Sequence, residues 1–509
     1  MEQNFLRTDW KDFLPKPVYD ERPEYEEFYM RAWELARDHV REIEGMPQNP
    51  YMDEAFCDTQ VWIWDTCFMT LFCKFAREVF PGVETLNNFY QVLHEGKQLP
   101  SIVPSENEPD WTCATPGVPF PIQVHLADNP PLFAWAEYEN ALMCADKEYL
   151  SNLLNERKIL QKHYEWVEEL KDSLKIPGVT NITHLKHKER GYTWEGGCSG
   201  MDNTPRGRVR IPSEERPNNP NMLWLDAICQ QALSAKMIAK LFTLLGDMKN
   251  ASEWEGKYQE KKDLVNTYYW DKEDKFYYDI DENDGHFYKV QTMASYWALT
   301  AGIASQEQAK EMLALLFDEN LFGGRVPFVT LARNDAEFQH DGQYWRGSVW
   351  LPTAYATLKG ISQYGFHKEA RELSLRLLEH MYHTYKQYTP HTIWECYSPC
   401  AYEPGRQTDN EEIVRPNFCG WSALGPIAIY LEYVLGFHTI NAFEKVIEWA
   451  KPEETTGKIG VKNLRFGGIV TNIVAEGNDC IVTSNKPYTL KINGKIFDIV
   501  VGENKISIA

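Results

Sequence analysis

Residues 221–246 read NMLWLDAICQQALSAKMIAKLFTLLG, and this stretch decides the fold class. Leu225, Ile228, Cys229, Ala232, Ala235 and Ala239 fall on one stripe at helical spacing. Asn221 is placed to cap the N-terminus, and Gly246 supplies the residue that accepts the left-handed turn at a helix end. The pattern predicts a helix over 222–245.

Outward from it, helical periodicity recurs at 24–45, after Trp64, and at 132–145, 147–171, 251–269, 292–301, 305–317, 348–360, 367–385 and 420–435. Together these make roughly a dozen helices of ordinary length. Their connections alternate between short and long, as expected of helical hairpins set in a ring with the long loops on one face. The two longest, 99–131 and 191–220, are too rich in proline to continue as helix and are candidate pocket walls. After about residue 452 the texture changes. Short β-type runs at 468–474, 479–483, 488–492 and 496–501 read as strands, and Asn493-Gly494 is the dipeptide favoured in a two-residue hairpin. The expectation is a mainly α protein, with a ring of helical hairpins over 1–452 and a small β appendage over 453–509.

Composition limits the partners. A net charge of -22 with no basic cluster excludes nucleic acid and anionic membrane, both of which require cations to offset phosphate. Aromatic residues make up 13% of the chain, and Trp64, Trp111, Trp345 and Trp421 directly adjoin Gly, Asp or Arg. Flat rings beside hydrogen-bonding groups suit a sugar, whose faces are apolar and whose rim is hydroxylated. Eleven cysteines without paired spacing suggest neither a zinc site nor a disulfide framework. The N-terminus lacks a basic and then apolar leader, so the chain as given reads as soluble and cytoplasmic, or periplasmic or secreted had a signal peptide been removed.

Two segments carry chemistry. Ser199-Gly200-Met201-Asp202-Asn203-Thr204-Pro205-Arg206 and Gln343-Tyr344-Trp345-Arg346-Gly347 each set a charged group among Gly, Pro or aromatic residues, an unusual setting for an element interior. Cleaving a glycosidic bond with inversion needs one carboxylic acid to protonate the leaving oxygen and a carboxylate across the sugar to activate water. Asp202 is the candidate acid. The acids at 334–341 suggest metal binding only weakly, and Glu106, Glu108, Asp110, His125 and Asp128 read as solvated loop charges.

With these segments in view, the chain resembles glycoside hydrolase family 63 and, more distantly, the family 37 trehalases. Trp62-Ile63-Trp64-Asp65-Thr66-Cys67-Phe68 is similar to their early Trp-Asp-x-x-Phe motif, 199–206 to their Ser-Gly-x-Asp motif, and 344–347 to their Tyr-Trp-Arg-Gly motif, in the same order. The resemblance implies an (α/α)6 barrel, an inverting mechanism, Asp202 as general acid, and no cofactor or catalytic metal. It implies Asp65 as a ligand for sugar hydroxyls, Arg346 as a sugar-binding or carboxylate-orienting group, and Trp64, Phe68, Tyr344, Trp345, Tyr397 and Trp421 around the sugar. Glu395-Cys396-Tyr397-Ser398-Pro399, then Gly405 and Phe418-Cys419-Gly420-Trp421, is similar to the family's base-bearing stretch with one residue more than usual, so Glu395 is the implied base. Glu411 and Glu412 are the alternatives, because a trehalase-like placement falls there. The expected activity is exo-acting hydrolysis of an α-linked, gluco- or manno-configured oligosaccharide or glycoside. A lyase or epimerase on the same barrel and a non-catalytic carbohydrate-binding protein are the rivals.

Overall fold

In the computed structural model, which describes residues 3–92, 99–107, 130–169, 185–194, 196–207, 219–407 and 412–508, six helices follow one another around a closed circuit of contacts. They are Ile63–Cys73, Phe133–Cys144, Leu225–Leu245, Trp297–Thr300 with the 3-10 turn Met293–Tyr296 before it, Leu351–Gln363, and the π-wound Gly425–Val434. Each packs on the next, and the last packs back on the first. Every residue of Ile63–Cys73 and of Gly425–Val434 is buried. A helix apolar on all sides needs neighbours on all sides, and an inner position in a ring provides them.

Amphipathic helices lie outside. Met248–Tyr268 buries Ala251, Trp254, Tyr258, Lys261 and Val265, a single stripe laid on Leu225–Leu245, and gives its other faces to water. Tyr25–Asp38 and His367–Gln387 pack on Gly425–Val434 and on each other. Local signals set several ends: Asp247 accepts the Asn250 N–H at 3.1 Å, Ser305 and Gln308 form a reciprocal cap, and Gly246 closes its helix at φ +83° as expected.

Three expectations need correction. The helix predicted from 222 begins at Leu225 with Trp224 as its cap, because Met222–Leu223 is drawn into a strand between Asp279–Asp281 and Gly191–Thr193. The run 147–171 is broken: Lys147–Ser151, a π turn at Asn152–Arg157 and Ile159–Glu169 are separated by Lys158 in the left-handed region at φ +55°. The β region also reaches further back than 453. Thr439–Asn441 and Val446–Trp449 join Tyr488–Ile492 and Lys495–Ile499 in one sheet, and Lys16–Tyr19 from the N-terminus edges the other, beside Lys458–Phe466, Ile469–Glu476, Asp479–Ser484 and Gly502–Ser507. Strands of three or four residues are too short for alternation to reveal them. Asn493 and Gly494 both take positive φ, +48° and +83°, as a primed hairpin turn requires.

Among the described residues no helix is long and apolar enough to cross a membrane, and the described cysteines are free thiols.

Candidate active site

The N-terminal ends of Ile63–Cys73 and Leu351–Gln363 open on a pocket of about 90 Å³. Trp64 and Asp65 in the first turn of one helix, Gly200 and Asp202 from the 196–207 loop, Tyr344, Trp345 and Trp350 before the other helix, and Trp421 line it. An acid in a helix's first turn is favoured by the positive end of the helix dipole, which is one local reason for Asp65 to stand there.

The Asp202 loop is shaped from within. Ser199 Oγ donates to the Gly196 carbonyl at 2.8 Å and accepts the Met201 N–H at 3.2 Å. Gly200 sits at φ +82°, and a Cβ there would lie 2.9 Å from the Trp64 ring, so no other residue fits. Arg206, 4% exposed, donates to Asp226 and Asp279 at 2.7–2.9 Å and lies 4.6 Å over the Trp224 ring. It fastens the loop to the Leu225–Leu245 helix and to the neighbouring sheet.

Asn203 stitches the two motifs together. Its Oδ1 accepts the Trp345 N–H at 2.8 Å and its Nδ2 donates to the Gln343 carbonyl at 2.9 Å. Gln343 and Tyr344 stand at φ +30° and +66°, a conformation that costs a bulky residue about 1–3 kcal/mol and persists where surroundings impose it. Here the Tyr344 N–H donates to the Arg406 carbonyl at 2.8 Å, Trp350 Nε1 donates to the Tyr344 carbonyl at 3.1 Å, and Trp345 stacks on Trp350 at 4.2 Å.

Tyr344 covers Glu395. The Glu395 side chain is 0% exposed; its Oε1 accepts the Tyr344 hydroxyl at 2.8 Å and an Arg415 guanidinium N–H at 3.3 Å, and its Oε2 accepts the Arg415 backbone N–H at 3.3 Å. Trp421 Nε1 and Ser422 Oγ donate to the Glu395 carbonyl. Burial lifts the Glu395 carboxyl above its ordinary range, against the pull of Arg415 and of the Tyr344 hydroxyl. Burial, followed by repulsion from Glu395 and Asp202, holds Asp65 well above the usual range. Glu54, buried behind it, is raised by burial and then by Asp65 and Asp53. Glu395, Asp65 and Glu54 are thus three buried carboxyls raised by burial in one region, with Asp202 at its edge. Asp65 Oδ1 has no hydrogen-bond partner among the described residues, which leaves it an acceptor for a hydroxyl donor.

Asp202, Trp64, Asp65, Tyr344, Trp345 and Trp421 therefore meet at one pocket, with Glu395 one hydrogen bond behind its wall. Other expected residues do not join them. Phe68 is buried edge-on to Trp64 and Trp135, at 5.0 and 6.0 Å, and supports the wall from behind. Tyr397 is wholly buried, its hydroxyl accepting the Trp394 N–H at 3.3 Å, its ring facing His380 and its backbone paired with Val349. Arg346 turns to Glu337 at 2.9 Å. Glu412 is exposed, with its carbonyl accepting the Gln407 N–H, and Glu411 lies outside the described residues, as do Trp111, Glu108, Asp110, His125 and Asp128.

The sequence reading gave no role to Arg415, whose guanidinium also lies 4.1 Å from the Phe56 ring, nor to the pocket residues Phe56, Trp62 and Trp350. Trp62 lies within the first motif and Trp350 three residues beyond the Tyr344–Gly347 motif, so both were signalled locally. Arg415 was not, since it meets Glu395 only through the bridge between Trp394 and Pro416.

Comparison with known proteins gives the chain a family. The family model described as the mannosylglycerate hydrolase MGH1-like glycoside hydrolase domain matches residues 59–409. The chain is 25% identical over 442 residues to an uncharacterized protein of Borreliella burgdorferi, covering 84% of this chain and 83% of that one. It is 22% identical over 386 residues to a mannosylglycerate hydrolase of Rubrobacter radiotolerans, covering 62% of this chain and 82% of the relative. The crystal structure of a GH63 mannosylglycerate hydrolase from Thermus thermophilus in complex with glucose superposes with a TM-score of 0.57 at 20% identity, over 79% of this chain and 99% of that one, and so shares the fold. The chain belongs to the MGH1-like glycoside hydrolase domain family, within glycoside hydrolase family 63.

Proposed function

We propose that the protein is an inverting, exo-acting hydrolase of a small α-linked, gluco- or manno-configured glycoside, built on an (α/α)6 toroid whose far end the β region covers. Asp202 gives its proton to the glycosidic oxygen as the C–O bond breaks. Glu395 takes a proton from the water that attacks the anomeric carbon on the opposite face, and the product leaves with inverted configuration. Asp65 accepts a sugar hydroxyl, and Trp64, Trp345 and Trp421 supply apolar faces.

The observation that carries this reading is the meeting of Asp202 and Asp65 at one aromatic-walled pocket, with Glu395 held directly behind its wall by the Tyr344 hydroxyl at 2.8 Å. The neighbour order of the six inner helices supports the toroid. A mannosylglycerate hydrolase among the relatives, and glucose in the complex of the Thermus enzyme, support a gluco- or manno-configured sugar. A second reading, binding without turnover, draws on the complete burial of Glu395 beneath Tyr344.

One experiment separates them: a panel of α-glucosides, α-mannosides, α-mannosylglycerate, trehalose and β counterparts, with product anomers followed by NMR. The expected result is release of a β-anomer from an α-linkage, abolished in Asp202→Asn and Glu395→Gln. An α-anomeric first product refutes inversion, and full activity in Asp202→Asn refutes the acid. Saturable binding without turnover establishes the second reading.

A further inference from the structure

At the opposite mouth of the helix ring lies a larger cleft, about 390 Å³, between the C-terminal parts of all six inner helices and the strands Thr439–Asn441 and Val446–Trp449. That volume falls within the roughly 300–1,000 Å³ of small-molecule sites. It is separate from the pocket holding Asp202, and the argument for it is independent of the activity proposed there.

The charges in this cleft do not cancel locally. Lys74 and Lys359 each bridge Glu139 and Glu432, at 2.7, 2.7, 2.9 and 3.2 Å, a square of two cations and two anions drawn from four helices. Glu448 at the rim is held by Lys491 at 2.7 Å. Lys240 is left over. Its ammonium stands 5.0 Å over the Tyr138 ring, and no carboxylate among the described residues pairs with it. Burial lowers its affinity for the proton while Glu139 supports it, the setting of a cation short of one counter-charge.

The rest of the lining suits a hydroxylated ring. Trp135, Tyr138 and Phe437 offer apolar faces, and Glu139 offers an acceptor, while Glu432, 2% exposed, is taken up by Lys74, Lys359 and the Tyr355 hydroxyl. His367 and His438 stack at 4.1 Å, with Nδ1 engaged by Ser362 Oγ at 3.1 Å and Thr439 Oγ1 at 2.9 Å respectively. Burial keeps both imidazoles neutral, His438 down to about 3, so each can donate or accept through its other nitrogen.

We propose that this cleft is a second ligand site, for an anionic monosaccharide whose carboxylate or phosphate pairs with Lys240 while its hydroxyls meet Glu139 and the paired histidines.

Isothermal titration of the full-length protein with D-glucuronate, glucose 6-phosphate, glucose and inorganic phosphate tests it. One of the two anionic sugars is expected to bind saturably at millimolar concentration or below, and which one does so distinguishes a carboxylate from a phosphate ligand. Binding should weaken about tenfold or more in Lys240→Met and in Lys240→Gln, the scale of one lost charged hydrogen bond, recover in Lys240→Arg, and persist in Asp202→Asn. Neutral glucose should bind more weakly than its anionic relatives. Lys240 anchors no ion pair among the described residues, so its variants are expected to fold, and ligand-dependent elevation of Tm gives a second readout in the wild type. Absence of binding by both anionic sugars, equal affinity in Lys240→Met, loss in Asp202→Asn, or inorganic phosphate binding as tightly as glucose 6-phosphate overturns the proposal.

Discussion

Removing the Arg415 guanidinium should shift the pH at which the protein begins to work, because Arg415 is the cation that counters the burial of Glu395. The guanidinium lies 3.3 Å from Glu395 Oε1 and its side chain is 46% exposed. Two unit charges about 4 Å apart attract by about 1 kcal/mol in water and about 4 kcal/mol at an effective dielectric constant of ~20. A half-exposed arginine falls between, so we take about 2 kcal/mol after solvent screening. At about 1.4 kcal/mol per factor of ten, losing that attraction favours the neutral Glu395 carboxyl by about 10- to 30-fold in Arg415→Met and so raises it further. Its carboxyl already lies above the ordinary range, and a base works only when ionised. The acid limb of kcat/KM should therefore move to higher pH, with at least a tenfold loss on the acid side and recovery to within about threefold above the new limb. Methionine keeps the length of the stem while removing the guanidinium that lies over the Phe56 ring, and Arg415→Lys, which keeps the charge, should restore most of the limb. The assay is a pH–rate profile on the best substrate from the panel. A uniform fall at every pH, with the limb unmoved, would refute the electrostatic role and leave Arg415 as a packing residue.

Other perturbations follow from the same geometry. Gly200→Ala puts a methyl 2.9 Å from the Trp64 ring at a φ of +82°; we expect a loss of about 2 kcal/mol in urea unfolding together with most of the activity, and an unchanged variant would mean the loop is not held as described. Arg206→Met leaves Asp226 and Asp279 buried without their cation and should cost about 3–5 kcal/mol, seen as a collapse of the unfolding midpoint. Glu137 accepts the hydroxyls of Tyr90 and Tyr149, each at 2.8 Å, and burial lifts it to about 7. Since its folded pKa exceeds the unfolded value of 4.5, its contribution is complete below pH 4.5 and fades as pH rises through 7. Glu137→Gln should flatten a decline of about 2–3 kcal/mol between pH 5 and 8, measured by denaturant midpoints; a parallel decline in both proteins would sink this assignment.

The site was partly legible in the chain because its backbone chemistry is local. Gly200 beside Asp202 and Tyr344 before Trp345 stand out wherever they fall, and both loops line the pocket. The residues whose surroundings the chain did not reveal were those whose side-chain direction depends on pairing. Tyr397 lies two residues from Glu395 and looks equally available, but the bridge between Val349 and Tyr397 buries it against His380. Arg346 sits within a quoted motif, yet Glu337 nine residues earlier takes its charge. Glu412 lies nearer the Phe418–Trp421 stretch in the chain than Glu395 does, but it is Glu395 whose carbonyl receives the Trp421 indole N–H.

By itself the sequence determined the helices whose stripe repeats over several turns, the turn at Asn493-Gly494, the acidic aromatic character, and the loop in which Asp202 stands. These depend on neighbours within a few residues, where spacing alone decides which face is apolar and which backbone angles are allowed. Only the tertiary structure decided which helices lie inside the ring, that Lys16–Tyr19 edges a sheet formed by residues beyond 457, that Arg415 rather than Arg346 faces the buried glutamate, and that Lys74, Glu139, Lys359 and Glu432 meet at the far mouth while Lys240 has no carboxylate partner among the described residues. Those pairings join residues tens to hundreds of positions apart. They depend on the rotation and depth at which each helix packs against its neighbours, which no local periodicity encodes.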